Sequence, residues 1–202
     1  MAVCVSVEGE VWARGRLLYR VEGLDLPCRG VAALIGSNGS GKSTLLRALA
    51  GLAGGVAGRA WARRPIAYMP EDSFSPPGAR VADWLRLNGV DPRVAEGLLP
   101  RRYLYSRIRG LSRGWRRFVE LLGVLGNEAS VYLLDEPFSG MDPERVGTAG
   151  ALVRGVAERS LVVVTGQSLA AIAEALSPDQ VLILRGGRLE RAERVEAHGV
   201  HG

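Results

Sequence analysis

The sequence predicts an α/β fold with a mostly parallel core sheet, N-terminal antiparallel β strands and a small helical insert. The alternation of elements is clearest in the second half. There the apolar strands Val131 to Leu134, Leu161 to Thr165 and Val181 to Arg185 are separated by helical patterns over Pro143 to Arg159 and Ser168 to Leu176. A second observation is the stretch Gly36-Ser37-Asn38-Gly39-Ser40-Gly41-Lys42-Ser43-Thr44. It lies between the apolar run Val31 to Ile35 and the helical spacing of Leu45 to Ala50, the strand–turn–helix context of a phosphate-binding loop. The third is Leu133-Leu134-Asp135-Glu136-Pro137, an apolar strand that delivers two carboxylates at its end.

Each element of that fold has its signal. Ala2 to Glu8 alternates as a strand, followed by Val11 to Arg14, and Val21 to Leu26 is a further strand ended by Pro27. The helix after the phosphate loop closes near Gly51 and Gly54-Gly55. Val56 to Trp61 and Ile66 to Met69 read as short strands, and Ser75-Pro76-Pro77-Gly78 as a loop. From Val81 to Arg109 helical spacing is broken into short pieces by proline and glycine, and a longer helix runs from about Arg113 to Gly126. The expectation is one domain over residues 1–202, with the helical insert at about 75–127.

Composition narrows the class. With 47% hydrophobic residues the chain has enough apolar side chains for a sizeable core. No apolar run reaches the length of a membrane span, and the N-terminus lacks the shape of a signal peptide. Cys4 and Cys28 have no metal-ligand spacing and no histidine nearby, so reduced thiols in a cytosolic compartment are expected. The formal charge of +5 admits an acidic partner without specifying one. No internal repeat and no heptad pattern is visible.

The chemistry follows from the loop. Its glycines let the backbone curl so that successive N–H groups point at a polyphosphate, aided by the positive end of the following helix. Lys42 would reach the β- and γ-phosphates, and the Ser43 hydroxyl would complete a Mg²⁺ shell. Lys42 is the only lysine; the other 25 of the 26 basic residues are arginines. A compact ammonium is kept where a planar guanidinium would fit poorly. Asp135, emerging beside the loop, is the second acidic anchor for Mg²⁺, and Glu136 is placed to accept a proton from a water attacking the γ-phosphate.

These residues together resemble the nucleotide-binding subunit of an ATP-binding cassette (ABC) ATPase, a P-loop NTPase, over nearly the whole chain. Leu111-Ser112-Arg113-Gly114 opens the long helix about twenty residues before Asp135, where the family carries its LSGGQ signature. Ser139-Gly140-Met141-Asp142 stands where the family's D-loop follows the acidic pair. Trp12, 24 residues before Gly36, matches the aromatic that stacks on adenine in the family. The resemblance implies a head-to-tail dimer with two ATP molecules between subunits, Ser112 and Gly114 completing the partner's site. A second ABC subunit, of like or unlike sequence, is thereby implied as a partner.

Departures accompany the matches. Arg113 replaces a glycine and Trp115 the glutamine of the signature. Glu71 stands where the family's Q-loop has glutamine; its carboxylate would meet Mg²⁺ or its water while adding negative charge beside a triphosphate. After Val162-Val163-Val164-Thr165 the family places its switch histidine, and this chain has Gly166-Gln167. The only histidines, His198 and His201, are expected as solvated tail residues. The resemblance with these departures implies strong Mg·ATP binding and slow hydrolysis.

Arg101, Arg102, Arg107, Arg109, Arg113, Arg116 and Arg117, interleaved with Tyr103 and Tyr105, form the densest basic region. A solvated face, a docking surface near anionic lipid heads and a nucleic-acid patch are its three readings; no nucleic-acid-binding fold accompanies the charges, so a nucleic-acid partner is not expected. Three functions follow from the resemblance. One is the motor subunit of an ABC transporter, on the cytoplasmic face of the membrane, acting on a separate integral-membrane subunit. Another is a soluble ABC ATPase in DNA repair, translation or cluster assembly. The third is a non-hydrolytic module that dimerises on ATP.

Overall fold

The computed structural model describes residues 2–52 and 55–192. His198 and His201 lie outside the described residues. Among the described residues nine strands form one sheet: β1 (Val3–Ala13), β2 (Arg16–Pro27), β3 (Gly30–Ile35), β4 (Val56–Ala62), β5 (Ile66–Met69), β6 (Val131–Leu134), β7 (Leu161–Gly166), β8 (Gln180–Arg185) and β9 (Arg188–Ala192). Their order across the sheet is β4-β1-β2-β9-β8-β3-β7-β6-β5. The run β8-β3-β7-β6-β5 is parallel, while β4, β1 and β2 pair antiparallel. The fold class expected from the sequence is the one observed.

Apolar runs without alternation form the parallel strands because both of their faces are covered. Successive side chains point to opposite faces, so Leu134, Val164, Val162 and Ala33 enter one core. Leu133, Val163, Ala32 and Leu34 enter the other. Against the second face lies α1 (Lys42–Ala50), through Leu45, Leu46 and Leu49. The first face carries α5 (Arg113–Leu125), α6 (Pro143–Ala157) and α7 (Leu169–Leu176), with the short helices α2 (Val81–Leu87), α3 (Pro92–Ala95) and α4 (Arg101–Leu104) packed on the same core. Among the described residues no helix is long and apolar enough to cross a membrane.

The first strand runs unbroken where the sequence suggested two pieces. Gly9, between two glutamates, reads as a break, but it sits opposite Gly58 of β4. A Cβ on Gly9 would stand 2.3 Å from the Ala57 carbonyl oxygen, so the strand continues because the side chain is missing. Strand β9 escaped sequence reading because three of the five residues of Arg188–Ala192, namely Arg188, Glu190 and Arg191, are charged and exposed. It closes a hairpin with β8 and meets β2 at the single pair Arg20–Arg188, joining the antiparallel strands to the core sheet.

The expectation of reduced thiols is corrected. Cys4 and Cys28 form a disulfide, with Cα atoms 4.8 Å apart. The β1–β2 register pairs Val3 with Pro27 and so brings both cysteines to one end of the ribbon. Spacing along the sequence conceals this, because the two are separated by 24 positions and only the strand register unites them. Reduction is expected to lower the unfolding free energy by about 3 kcal/mol, the cost of releasing a loop of this size in the unfolded chain. Thermal unfolding with and without reductant reads the effect; two thiols titrating before any reductant is added, with an unchanged transition, would contradict it.

Candidate functional site: a phosphate loop facing two carboxylates

The carboxyl ends of β3, β7 and β6 lie side by side, with residues 36–41 leaving the first of them. The loop is tied to its neighbour by the Gly36 amide, which donates to the Gly166 carbonyl at 3.2 Å. Gly41 closes it with φ 100°, and a Cβ there would meet Leu18 and Tyr19 at 2.7 and 2.8 Å. Only glycine satisfies both demands. As the N-cap of α1, Gly41 supplies no side-chain acceptor, so the first amides of the helix keep their donors for an anion.

Lys42 occupies the centre of the bend and is 5% exposed. Its ammonium donates to the Gly36 and Ser37 carbonyls at 2.7 and 3.1 Å and stands 3.8 Å from Oε1 of Glu136. Sequence reading placed the strand of Asp135 beside the loop. In the sheet β7 lies between β3 and β6, and Thr165 of β7 spans the gap. Its hydroxyl donates to Asp135 Oδ1 at 2.7 Å and accepts from the Glu136 amide at 2.9 Å. One hydroxyl therefore orients both acidic residues. The sequence marked Thr165 only as the polar end of an apolar strand.

Asp135 is completely buried, and its Oδ2 has no hydrogen-bond partner. A buried, orphaned carboxylate oxygen is the kind of group that a hard cation satisfies. Among the described residues no cluster of three or more His, Cys, Asp or Glu side chains could hold a metal by itself. A cation here would share its shell with Ser43 and with phosphate oxygens, which is how Mg²⁺ is ordinarily held with a nucleotide.

Glu136 takes a left-handed backbone, φ 48°, rare for a residue with a side chain and concentrated at functional positions. Burial pushes its carboxyl above the ordinary carboxylate range; Lys42 and the amide of Gln167 oppose that, while Glu71 and Asp135 add to it. Its Oε1 is buried without a hydrogen bond. Gln167 thus borders the carboxylate, and Gln167, Gly166 and Thr165 line a cavity with Glu136.

The remaining predicted residues are not all brought together. A cleft of about 260 Å³ opens beside the loop, lined by Ser37, Gly39 and Ser40 on one side and Leu17, Leu18 and Tyr19 on the other. Trp12 is not among its walls. The indole is 37% exposed and donates to Glu10 at 3.1 Å. Asn38 and Thr44 belong to the loop and to the first turn of α1. Exposed Glu71 follows β5 and lies near enough to act on Glu136 through space. Ser112 is the N-cap of α5, its hydroxyl accepting from the Trp115 amide at 3.3 Å, and Gly114 packs against the Gly140 carbonyl. No hydrogen bond or ion pair among the described residues links Ser112 or Gly114 to the phosphate loop. Trp115 is stacked under the Arg145 guanidinium at 3.8 Å and against Tyr103 and Phe118.

The basic region needs one correction. Arg101, Arg102, Arg107, Arg109 and Arg113 are exposed, but Arg117 is buried, because α5 turns it inward toward the carbonyls of Pro70, Asp135 and Glu136.

A phosphate loop after β3, a buried lysine and two consecutive carboxylates after β6 define a phosphate-loop nucleotide site on a parallel sheet. Comparison with known proteins carries this one step further. The family model for ABC transporters matches residues 22–139, and the chain belongs to that family. The cytochrome c biogenesis ATP-binding export protein CcmA of Sphingopyxis alaskensis is 35% identical over 152 residues, covering 70% of this chain and 78% of that protein. The ABC transporter ATP-binding protein YhaQ of Bacillus subtilis is 32% identical over 149 residues, 62% of this chain; the match spans half the length of YhaQ. Among solved structures, a metal-chelate type ABC transporter in an inward-facing conformation superposes with a TM-score of 0.78 at 23% identity, over 95% of this chain and 84% of that one. At that identity the superposition speaks for the fold alone.

Proposed function

We propose that the chain is the ATP-binding subunit of an ABC transporter, which binds Mg·ATP at the loop, hydrolyses it slowly and drives a separate membrane subunit by closing as a head-to-tail dimer. The observation that carries the reading is the placing of Lys42 within 3.8 Å of Glu136, with the orphaned Asp135 oxygen beside it. Relatives named as export or import ATP-binding proteins support the transporter context. The cytoplasmic face of the membrane is the location that goes with it, and residues 75–127 serve as the helical subdomain.

In this reading residues 36–44 wrap the phosphates with backbone amides and Lys42 neutralises the β- and γ-oxygens. Asp135 and Ser43, with Glu71 nearby, would hold Mg²⁺, which supplies charge neutralisation between the phosphates. Glu136 orients the attacking water and accepts its proton. Ser112 and Gly114 would meet the γ-phosphate of the partner's nucleotide. Slow turnover follows from Gly166, which offers no imidazole, and from a base whose ionisation is opposed by burial.

A pull-down from native membranes tests the transporter assignment. Co-purification of an integral-membrane protein is expected; recovery of the chain with ribosomes or DNA instead would favour a soluble ABC ATPase. A non-hydrolytic module is the second reading, favoured by Gly166, and an ATPase assay with and without the partner separates it. Trp12 is assigned to the adenine ring, so Trp12→Ala is expected to weaken Mg·ATP binding roughly tenfold, the usual loss for one stacked base. Unchanged affinity in a folded variant would return Trp12 to the strand surface.

A further inference from the structure

Two charged side chains lie inside the protein where nothing in the nucleotide chemistry asks for them. Arg117 is 5% exposed and Glu120 1%, and they stand three positions apart on α5 with 3.6 Å between Arg117 Nη1 and Glu120 Oε2. Burying such a pair costs desolvation that its own attraction roughly offsets, and apolar substitutes of similar volume are often neutral. Stability therefore supplies no reason for the pair, whereas its hydrogen bonds do.

Arg117 donates through Nη1 to the Pro70 carbonyl at 2.7 Å and through Nη2 to the carbonyls of Asp135 and Glu136. Glu120 Oε1 accepts from the Phe74 and Ser75 amides at 3.2 Å and from the Ser73 and Ser75 hydroxyls. One side of the pair thus grips the turn that carries Glu136. Both sides grip the segment after β5 that carries Glu71. The guanidinium fork reaches two chain segments at once, which an ammonium could not do with the same geometry. Glu136, held in a left-handed backbone, needs an external restraint of this kind to persist.

We propose that Arg117 and Glu120 are positioning residues: the pair clamps residues 70–75 and 135–136 onto α5 and so fixes the Glu71 and Glu136 carboxylates relative to each other. The helix that opens with Ser112 and Arg113 is thereby mechanically joined to the carboxylate end of the site. Arg113 strengthens the join by donating to the Ser139 hydroxyl at 3.1 Å. The proposal deepens the reading of the site as an ATPase and rests on it.

Two variants of the full chain test it. Arg117→Met with Glu120→Gln removes the fork without leaving a lone buried charge, and Arg117→Lys keeps the charge but loses the fork. Thermal unfolding and circular dichroism establish which of them folds. In a folded variant kcat is expected to fall roughly 100-fold with KM for Mg·ATP within about threefold, the pattern of a displaced reacting group. Amide hydrogen exchange is expected to quicken at residues 71–75 and 136–139 while β3 and β6 keep their protection. An unchanged kcat, or exchange that rises evenly through the chain, would overturn the proposal and leave the pair a structural one. If the unmodified chain turns over no ATP, the ATPase reading falls, and local exchange still decides whether the pair clamps the two segments.

Discussion

Lys42→Ala is expected to abolish measurable Mg·ATP binding, the largest effect of any single substitution in the chain. The ammonium is the only charged donor inside the bend, and it is buried against two carbonyls of the loop and against Glu136. Charge-assisted hydrogen bonds of this kind are worth about 1.5–3 kcal/mol each, so losing two phosphate contacts weakens affinity by roughly 100-fold or more. The fold should survive. Removing a cation from beside Glu136 also raises that carboxyl further, which lessens the cost of leaving it without its charged partner. Titration calorimetry and thermal unfolding on the same preparation check both halves. Wild-type affinity in the variant would show that the loop does not hold phosphate.

Glu136→Gln carries the second large effect. The amide keeps the shape and loses the base, so hydrolysis is expected to fall by about 10²–10⁴ while Mg·ATP binding is retained. ATP-dependent dimers should then accumulate, visible by size-exclusion chromatography. The pH dependence has a definite sign. Burial raises the Glu136 carboxyl above the ordinary carboxylate range, so the charged form is the one that folding disfavours. Its contribution to stability is full below the unfolded pKa and is lost as pH rises through the folded one. Activity runs the opposite way, since only the ionised carboxylate accepts a proton. Turnover should decline on acidification at a pH above that of an ordinary glutamate, and the Gln variant should lack this limb. Equal turnover in the two proteins across the range would assign the base elsewhere.

The phosphate loop and the acidic strand end were legible because each is a local pattern: glycines at fixed intervals before a helix, and apolar residues running straight into carboxylates. The fold class was legible for the same reason, through runs such as Val131 to Leu134 whose two faces are both covered. What escaped was set by partners far along the chain. Thr165 joins Asp135 to Glu136 only because β7 enters the sheet between β3 and β6. Cys4 meets Cys28 only through the β1–β2 register. Arg117 looked like one more arginine of a basic surface until α5 was seen to turn it toward the carbonyls of Pro70 and Asp135. Local spacing reports the chemistry a segment offers; tertiary pairing decides which polar group acts as a restraint.

The most direct measurement is calorimetric titration of the folded chain with ATP, with and without Mg²⁺. The account predicts a saturable heat that strengthens when Mg²⁺ is present, as Asp135 and Ser43 require. Absence of heat under both conditions from a cooperatively folded protein would contradict it.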